Sequence, residues 1–178
     1  MSEVQLPPVR TLEDFLLGSA RFSPPDVRDL QRWNNRVINN LLYYQSNYCL
    51  LHLLLISVGG YVQPLTTLLV LLVVALAFLG FVWAAENKAS VRRFRRNYPT
   101  SCSVLILATS YFLLMLCGAL PTFFIAIILP LLLILTHASL RLRNLKSKIE
   151  NKMESIGLKR TPMGMLLEAL GQEQEAGS

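Results

Sequence analysis

Charged side chains are absent from two long stretches of this chain: no Asp, Glu, Lys or Arg occurs between Val37 and Ala85, or between Asn97 and Leu140. Each stretch is too long for one core helix, and about 20 apolar residues suffice to cross a bilayer. Each therefore predicts two spans with a turn between them. The expected fold is all-α: a polytopic integral membrane protein with four hydrophobic helices as two hairpins, flanked by amphipathic helices. The first span is expected at Leu41–Val58, ended by Gly59-Gly60 and Pro64. The second is expected at Leu65–Ala85, the third at Cys102–Ala119, and the fourth at Phe123–Ser139 with Pro130 inside. A proline there kinks the helix, which membrane helices tolerate when neighbours satisfy the freed carbonyl. In these terms the chain divides into an amino-terminal tail (1–40), a first hairpin (41–85), a basic loop (86–101), a second hairpin (102–140) and a carboxyl-terminal tail (141–178).

The flanks carry helical patterns of their own. Thr11-Leu-Glu-Asp14 predicts a short helix with an acidic first turn, stopped at Gly18. After Ser23-Pro24-Pro25, the apolar residues Val27, Leu30, Trp33, Val37 and Leu41 predict an interfacial helix that feeds the first span. Arg28, Arg32 and Arg36 follow each other at intervals of four beside it. Beyond the fourth span, Leu142, Leu145, Ile149, Met153 and Ile156 keep to one helical face. A last small helix is marked by Thr161 as N-cap, Pro162 at N1 and Gly171 past its end. Gln172–Ser178 is expected to be disordered.

Charge settles the expected orientation. The chain has 17 Lys+Arg: five in the amino-terminal tail, five in the central loop and seven after the last span, with none in the turns within hairpins. By the positive-inside rule, both termini and the central loop face the cytosol. Tyr43, Tyr44 and Tyr48 at the start of the first span, and Trp83 near the end of the second, agree as interfacial anchors. The first 36 residues carry ten charges and no apolar stretch of signal-peptide length, so the first span is expected to direct its own insertion. At about 1.5 Å per residue the spans measure about 26–32 Å. That suits an early secretory bilayer of about 27 Å better than a plasma membrane of about 32–33 Å.

Hydrophobic content of 53% leaves little room for chemistry. No catalytic or metal constellation is visible, and no cofactor motif. His52 and His137 fall on different spans, where an ionisable residue is a functional candidate by default. The simpler reading is a neutral imidazole hydrogen-bonded to another helix or, for His137, placed near the headgroups. Cys49, Cys102 and Cys117 read as small buried hydrophobes, and palmitoylation of Cys102 is the alternative. The row Arg92, Arg93, Arg95 and Arg96 lies between spans, which argues against nucleic acid. It reads as a topology signal, with anionic lipid as a further ligand.

Certain motifs resemble the prenylated Rab acceptor family. Asn40-Leu-Leu-Tyr-Tyr-Gln-Ser-Asn-Tyr48 looks like the family signature before its first span. Phe81-Val-Trp-Ala-Ala85, the loop ending in Tyr98-Pro99, His137-Ala-Ser-Leu-Arg-Leu-Arg-Asn-Leu-Lys146 and Gly157-Leu-Lys-Arg-Thr-Pro-Met-Gly164 resemble its animal branch. The ending from Leu167 to Ser178 is similar to the second animal subgroup, with the JWA-type paralogues as the nearest alternative. The resemblance implies a small, non-enzymatic membrane protein of endoplasmic reticulum, Golgi and endosomes. It further implies homo- or hetero-oligomers with family members, and partners among Rab GTPases and cargo membrane proteins such as transporters or receptors.

Three functions are thereby ranked. The first is a trafficking adaptor whose extramembrane helices bind cargo or Rabs. The second is a hairpin protein that shapes the endoplasmic reticulum membrane. The third, a transporter, ranks last because no span carries a carboxylate, Lys or Arg. Candidate partner- or membrane-interface residues are Asn40, Tyr43, Tyr44, Asn47 and Tyr48, the four loop arginines, and the stripe Leu142, Leu145, Ile149, Met153 and Ile156.

Overall fold

Helices account for most of the computed structural model, which describes residues 6–17, 21–142 and 161–172. In chain order they are α1 (Leu12–Phe15), α2 (Leu30–Tyr43), α3 (Gln45–Val62), α4 (Pro64–Asn87), α5 (Ala89–Asn97), α6 (Pro99–Leu116), α7 (Leu120–Phe123), a π-helical turn (Phe124–Ile128), α8 (Leu129–Leu140) and α9 (Pro162–Ala169). Two short strands, β1 (Arg21–Phe22) and β2 (Arg141–Leu142), pair antiparallel, with Arg21 opposite Leu142 and Phe22 opposite Arg141.

Among the described residues, three helices are long and apolar enough to cross a membrane: Pro64–Asn87, Pro99–Leu116 and the continuous run Leu120–Leu140. The first expected span falls on the pair α2–α3, which bends by 77° at Tyr44 and passes the same test only when the two helices are taken together. The break is locally satisfied, because Gln45 Nε2 donates to Leu42 O at 2.9 Å. Along α4, Leu68, Leu72, Leu76, Leu79 and Trp83 are exposed at helical spacing, a face that only acyl chains can cover favourably. Three hydroxyls turn back on their own helices: Ser57, Thr109 and Ser110 donate to the carbonyls of Leu53, Leu105 and Ile106.

Several sequence expectations need correction. Gly59 and Gly60 do not end the first apolar helix; α3 runs on to Val62. Pro64 makes the break, as a residue that cannot continue a helix but can open the next one at N1. The basic loop is not irregular, since α5 occupies it and only Lys88 and Tyr98 separate it from α4 and α6. Val27 and Arg28 lie before the interfacial helix, which Asp29 caps by accepting from Arg32 N at 3.0 Å. Leu142 sits in β2 rather than on a helical stripe. The other members of that stripe, Leu145, Ile149, Met153 and Ile156, lie outside the described residues.

Other expectations hold. Thr11 caps α1 and Thr161 Oγ1 accepts from Gly164 N at 3.2 Å at the start of α9. Gly118 (φ 70°) and Gly171 (φ 81°) end α6 and α9 in the left-handed region. In each case the following amide reaches back five residues, Ala119 N to Leu114 O and Gln172 N to Leu167 O, closing a Schellman motif.

Packing divides the chain into two units. The first joins the chain up to Leu51 with Leu131–Leu166, and its core is Tyr43, Tyr44, Tyr48, Ile134 and Ala138, with Phe15, Val37, Leu41 and Leu51 packed around. The second comprises His52–Pro130 and Leu167–Gln172. In it α4 packs along α6, and α5 lies against both. His52 and Pro130 meet a common need there. Proline has no N–H for the carbonyl four residues earlier, which is that of Ala126, and His52 Nε2 bonds that oxygen at 3.0 Å.

Candidate functional site

Buried and half-buried polar side chains, Arg36, Asn40 and Arg141, meet at the carboxyl end of α8, in the first unit. A helix leaves its last carbonyls without intrahelical partners. Here they are claimed from the other end of the chain. Asn40 Nδ2 donates to Ala138 O at 2.8 Å and to Arg141 O at 2.9 Å. Arg36 Nη1 donates to Ser139 O at 3.2 Å and also to Ser23 O at 3.2 Å. Ser23 N donates to Leu140 O at 2.9 Å. Asn40 is 1% exposed, and its Oδ1 meets no donor among the described residues.

The same residues grip the amino-terminal segment. Arg141, 0% exposed at its side chain, donates through Nη2 to Asp14 O at 2.6 Å and to Asp14 Oδ1 at 3.1 Å. Its Nε reaches Asp14 O at 3.2 Å, as does the Tyr44 hydroxyl, and its Nη1 reaches Leu142 O. His137 Nε2 bonds Phe15 O at 2.8 Å, and His137 Nδ1 meets the Tyr48 hydroxyl at 2.7 Å. A carbonyl only accepts, so Nε2 carries a proton, and in the neutral ring Nδ1 accepts from the Tyr48 hydroxyl. Both nitrogens of His137 are thereby satisfied. Further up the tail, Arg10 N donates to Asn47 Oδ1 at 2.8 Å and Asn47 Nδ2 donates to Arg10 O at 2.9 Å. Ser46 Oγ donates to Pro7 O.

Aromatic packing closes the clasp. Phe15 lies 4.2 Å from the His137 ring and 5.3 Å from that of Tyr44, edge-on to the latter. The Arg10 guanidinium sits 4.1 Å above the Tyr43 ring. Among the sequence candidates, therefore, Asn40, Tyr43, Tyr44, Asn47 and Tyr48 come together, and all are buried. What they touch is the chain's own tail and the end of α8. Arg141, Asp14, Phe15 and His137 complete the arrangement without having been singled out as a group. Arg141 counts in the sequence as one of the basic residues after the last span and as part of the motif His137 to Lys146, and no local pattern marks it as buried.

The loop arginines form a different arrangement, in the second unit. Arg92 Nε donates to Ala85 O at 3.3 Å and its Nη2 to Glu86 O, so this side chain caps α4. Arg95 Nη1 donates to Ala169 O at 3.3 Å near the end of α9. Arg93 and Arg96 are exposed. The four do not converge on one ligand.

Comparison with known proteins matches the chain over most of its length. The family model described as PRA1 family protein matches residues 4–151. PRA1 family protein 2 of Mus musculus is 62% identical over 178 residues, which is 100% of both chains. The Homo sapiens protein of that name is 63% identical over the same coverage. PRA1 family protein 3 of Bos taurus is 53% identical over 173 residues, 97% of this chain and 92% of the relative. No solved structure matches.

Proposed function

This chain belongs to the PRA1 family, and we propose that it is a membrane-embedded adaptor or regulator of vesicular protein transport between endoplasmic reticulum, Golgi and endosomes. It acts by binding Rab GTPases or by binding and retaining cargo membrane proteins. The observation that carries this reading is the display of the clasped tail. Its main chain is held at Pro7, Arg10, Asp14 and Phe15. Leu6, Val9, Leu12, Leu16 and Leu17 are nevertheless left 50–70% exposed. A segment held by its backbone with its apolar side chains outward suits recognition better than core packing. The apolar stretches Val37–Ala85 and Asn97–Leu140, with no charged residue, suit anchoring better than transport.

Proximity labelling in intact cells tests the adaptor. The Leu12→Asp/Leu16→Asp variant is expected to lose partners of the wild type while staying in the membrane. An unchanged partner set overturns the reading. Both termini and α5 are taken to face the cytosol, so sequons placed at 1–10 or 90–97 should stay unglycosylated in microsomes. A second reading, a hairpin protein that shapes the endoplasmic reticulum membrane, is favoured by the 77° bend between α2 and α3, which suits a re-entrant segment. Tubulation of liposomes by the purified chain would support it over the adaptor.

A further inference from the structure

Beside the clasp, in the same unit, a groove of 280 Å³ opens between the approach to α2 and the last turns of α8. Pro25 and Trp33 form one wall, and Leu132, Leu135, Thr136 and Ser139 form the other. The lining is almost wholly apolar, and no Asp or Glu contributes to it. Two features at its edge point to an occupant that is not purely apolar. Arg36, held by the carbonyls of Ser23 and Ser139, uses Nη1 for both bonds. A guanidinium has five N–H donors, and among the described residues Nε and Nη2 of Arg36 meet no acceptor beside the groove-lining Ser139. The Nε1–H of Trp33 is closed off from solvent and meets no acceptor among the described residues. A buried donor left this way is costly, and an oxygen brought in with a ligand, displacing what covers it, would relieve that cost.

Position narrows the chemistry. The groove lies at the carboxyl end of the Leu120–Leu140 helix, and the end of a membrane-length helix is where acyl chain gives way to headgroup. Arg28 and Arg32 are exposed nearby in sequence. The carboxylates of Asp26 and Asp29 are turned to backbone amides, those of Arg28 at 3.0 Å and Arg32 at 3.0 Å, rather than to the groove. We propose that this groove is a binding site for an anionic glycerophospholipid, one acyl chain lying between Trp33 and Leu135 and the phosphate meeting Arg36. Arginine suits this role because its planar fork pairs with phosphate oxygens while its stem lies along apolar surface.

The chain has two tryptophans, so the Trp83→Phe variant reports from Trp33 alone. The full chain in phosphatidylcholine vesicles would be titrated with bromine-labelled phosphatidylserine or bromine-labelled phosphatidylcholine. Bromine quenches indole fluorescence on contact. The expected result is half-maximal quenching at an anionic mole fraction about fivefold lower than for the neutral lipid, the selectivity one basic contact near a membrane supplies. Arg36→Gln should bring the two curves together. Because Arg36 also holds two carbonyls, Thr136→Phe serves as a second variant, filling the groove without changing charge; it should reduce quenching by both lipids. Equal quenching by the two lipids in the starting protein means ordinary annular lipid and overturns the proposal. So does a preference that survives both substitutions.

Discussion

The carboxyl ends of α4 and α8 pose one problem and receive opposite solutions. Each helix leaves the last carbonyls of a membrane span unpaired. At α4 the answer is local. Lys88 N takes Ala84 O, and the Arg92 side chain takes Ala85 O and Glu86 O, all within one short stretch of chain. At α8 the donors come from Ser23, Arg36 and Asn40, with the side-chain bonds spanning 98 to 103 residues. A local cap forms as soon as its helix does. A remote cap requires the tail and α2 to be in place first, with the loop-closure entropy that implies. It makes the order of the amino-terminal segment and the integrity of the fourth span one cooperative property. The chemistry differs accordingly: a single exposed arginine suffices near water, whereas the α8 end is met by a buried amide, a half-buried guanidinium and a backbone N–H.

The largest way to break this contrast is at Asp14. Its carboxylate is the partner of a guanidinium with 0% side-chain exposure. Removing one member of a buried pair leaves the other uncompensated and costs roughly 3–5 kcal/mol. Asp14 itself keeps 26% exposure, and solvent screening reduces its share. Asp14→Ala should therefore destabilise the first unit by about 3 kcal/mol. Hydrogen exchange in detergent should show residues 11–17 losing protection together with the last turn of α8. Glu86→Ala, an exposed carboxylate at the other helix end, should change neither. Retained protection of the tail in Asp14→Ala would mean the two ends are held independently.

Asn40→Leu is the next test. It keeps volume and removes two hydrogen bonds to Ala138 O and Arg141 O, each worth about 1 kcal/mol net. A loss of about 2 kcal/mol is expected in thermal unfolding followed by circular dichroism. Arg92→Gln, which loosens the corresponding cap on α4, should cost less than half as much, because water replaces the donor there. Equal costs would remove the distinction between buried and solvated caps.

That distinction also explains what could be read from sequence. The spans, the Thr11 and Thr161 caps and the Gly171 stop are short-range facts, each decided within one helical turn or by uninterrupted hydropathy. So, in principle, was α5: Val91, Phe94 and Tyr98 recur at helical spacing, but the density of arginine made the segment read as loop. The run through Gly59 and Gly60 was misjudged because glycine is a weaker breaker than the proline that follows. The clasp was illegible for a different reason. The Arg141–Asp14 bonds span 127 residues, and nothing local tells a buried arginine from one that merely biases topology. The signature Asn40 to Tyr48 reads in the sequence as a candidate partner or membrane interface, and nothing in it shows that these residues meet the chain's own tail. Which side of a helix meets another helix is a tertiary fact.

A third helix end sharpens the comparison. At α9, Arg95 from α5 holds Ala169 O, and Gly171 packs on the backbone of Arg95. A Cβ built at Gly171 would stand 2.7 Å from Arg95 O, at a φ of +81°. Gly171→Ala combines a left-handed penalty of about 1–2 kcal/mol with a contact that backbone must move to relieve. Gly118→Ala carries the conformational penalty alone, since nothing lies within 4 Å of its Cβ. Gly171→Ala should therefore lower the midpoint of thermal unfolding more than Gly118→Ala. The reverse order would show that α9 is not held against α5.

The smallest effect expected separates the arginines of α5 from one another. Arg92 reaches two successive carbonyls through different nitrogens, a geometry that depends on the planar fork. Lysine offers a point charge on a flexible stem and can satisfy one of them. Arg93, on the exposed side of the same helix, has no such demand. Arg92→Lys should thus cost about 0.5–1 kcal/mol, and Arg93→Lys about 0. Both keep their positive charge, so the bias that orients the loop is unchanged, and any difference between them reports capping rather than topology. Thermal unfolding of the two variants side by side in one detergent gives the comparison directly. Should Arg93→Lys prove as costly as Arg92→Lys, the row would be acting as a collective charge, and the local cap on α4 would lose its place as the counterpart to the remote cap on α8.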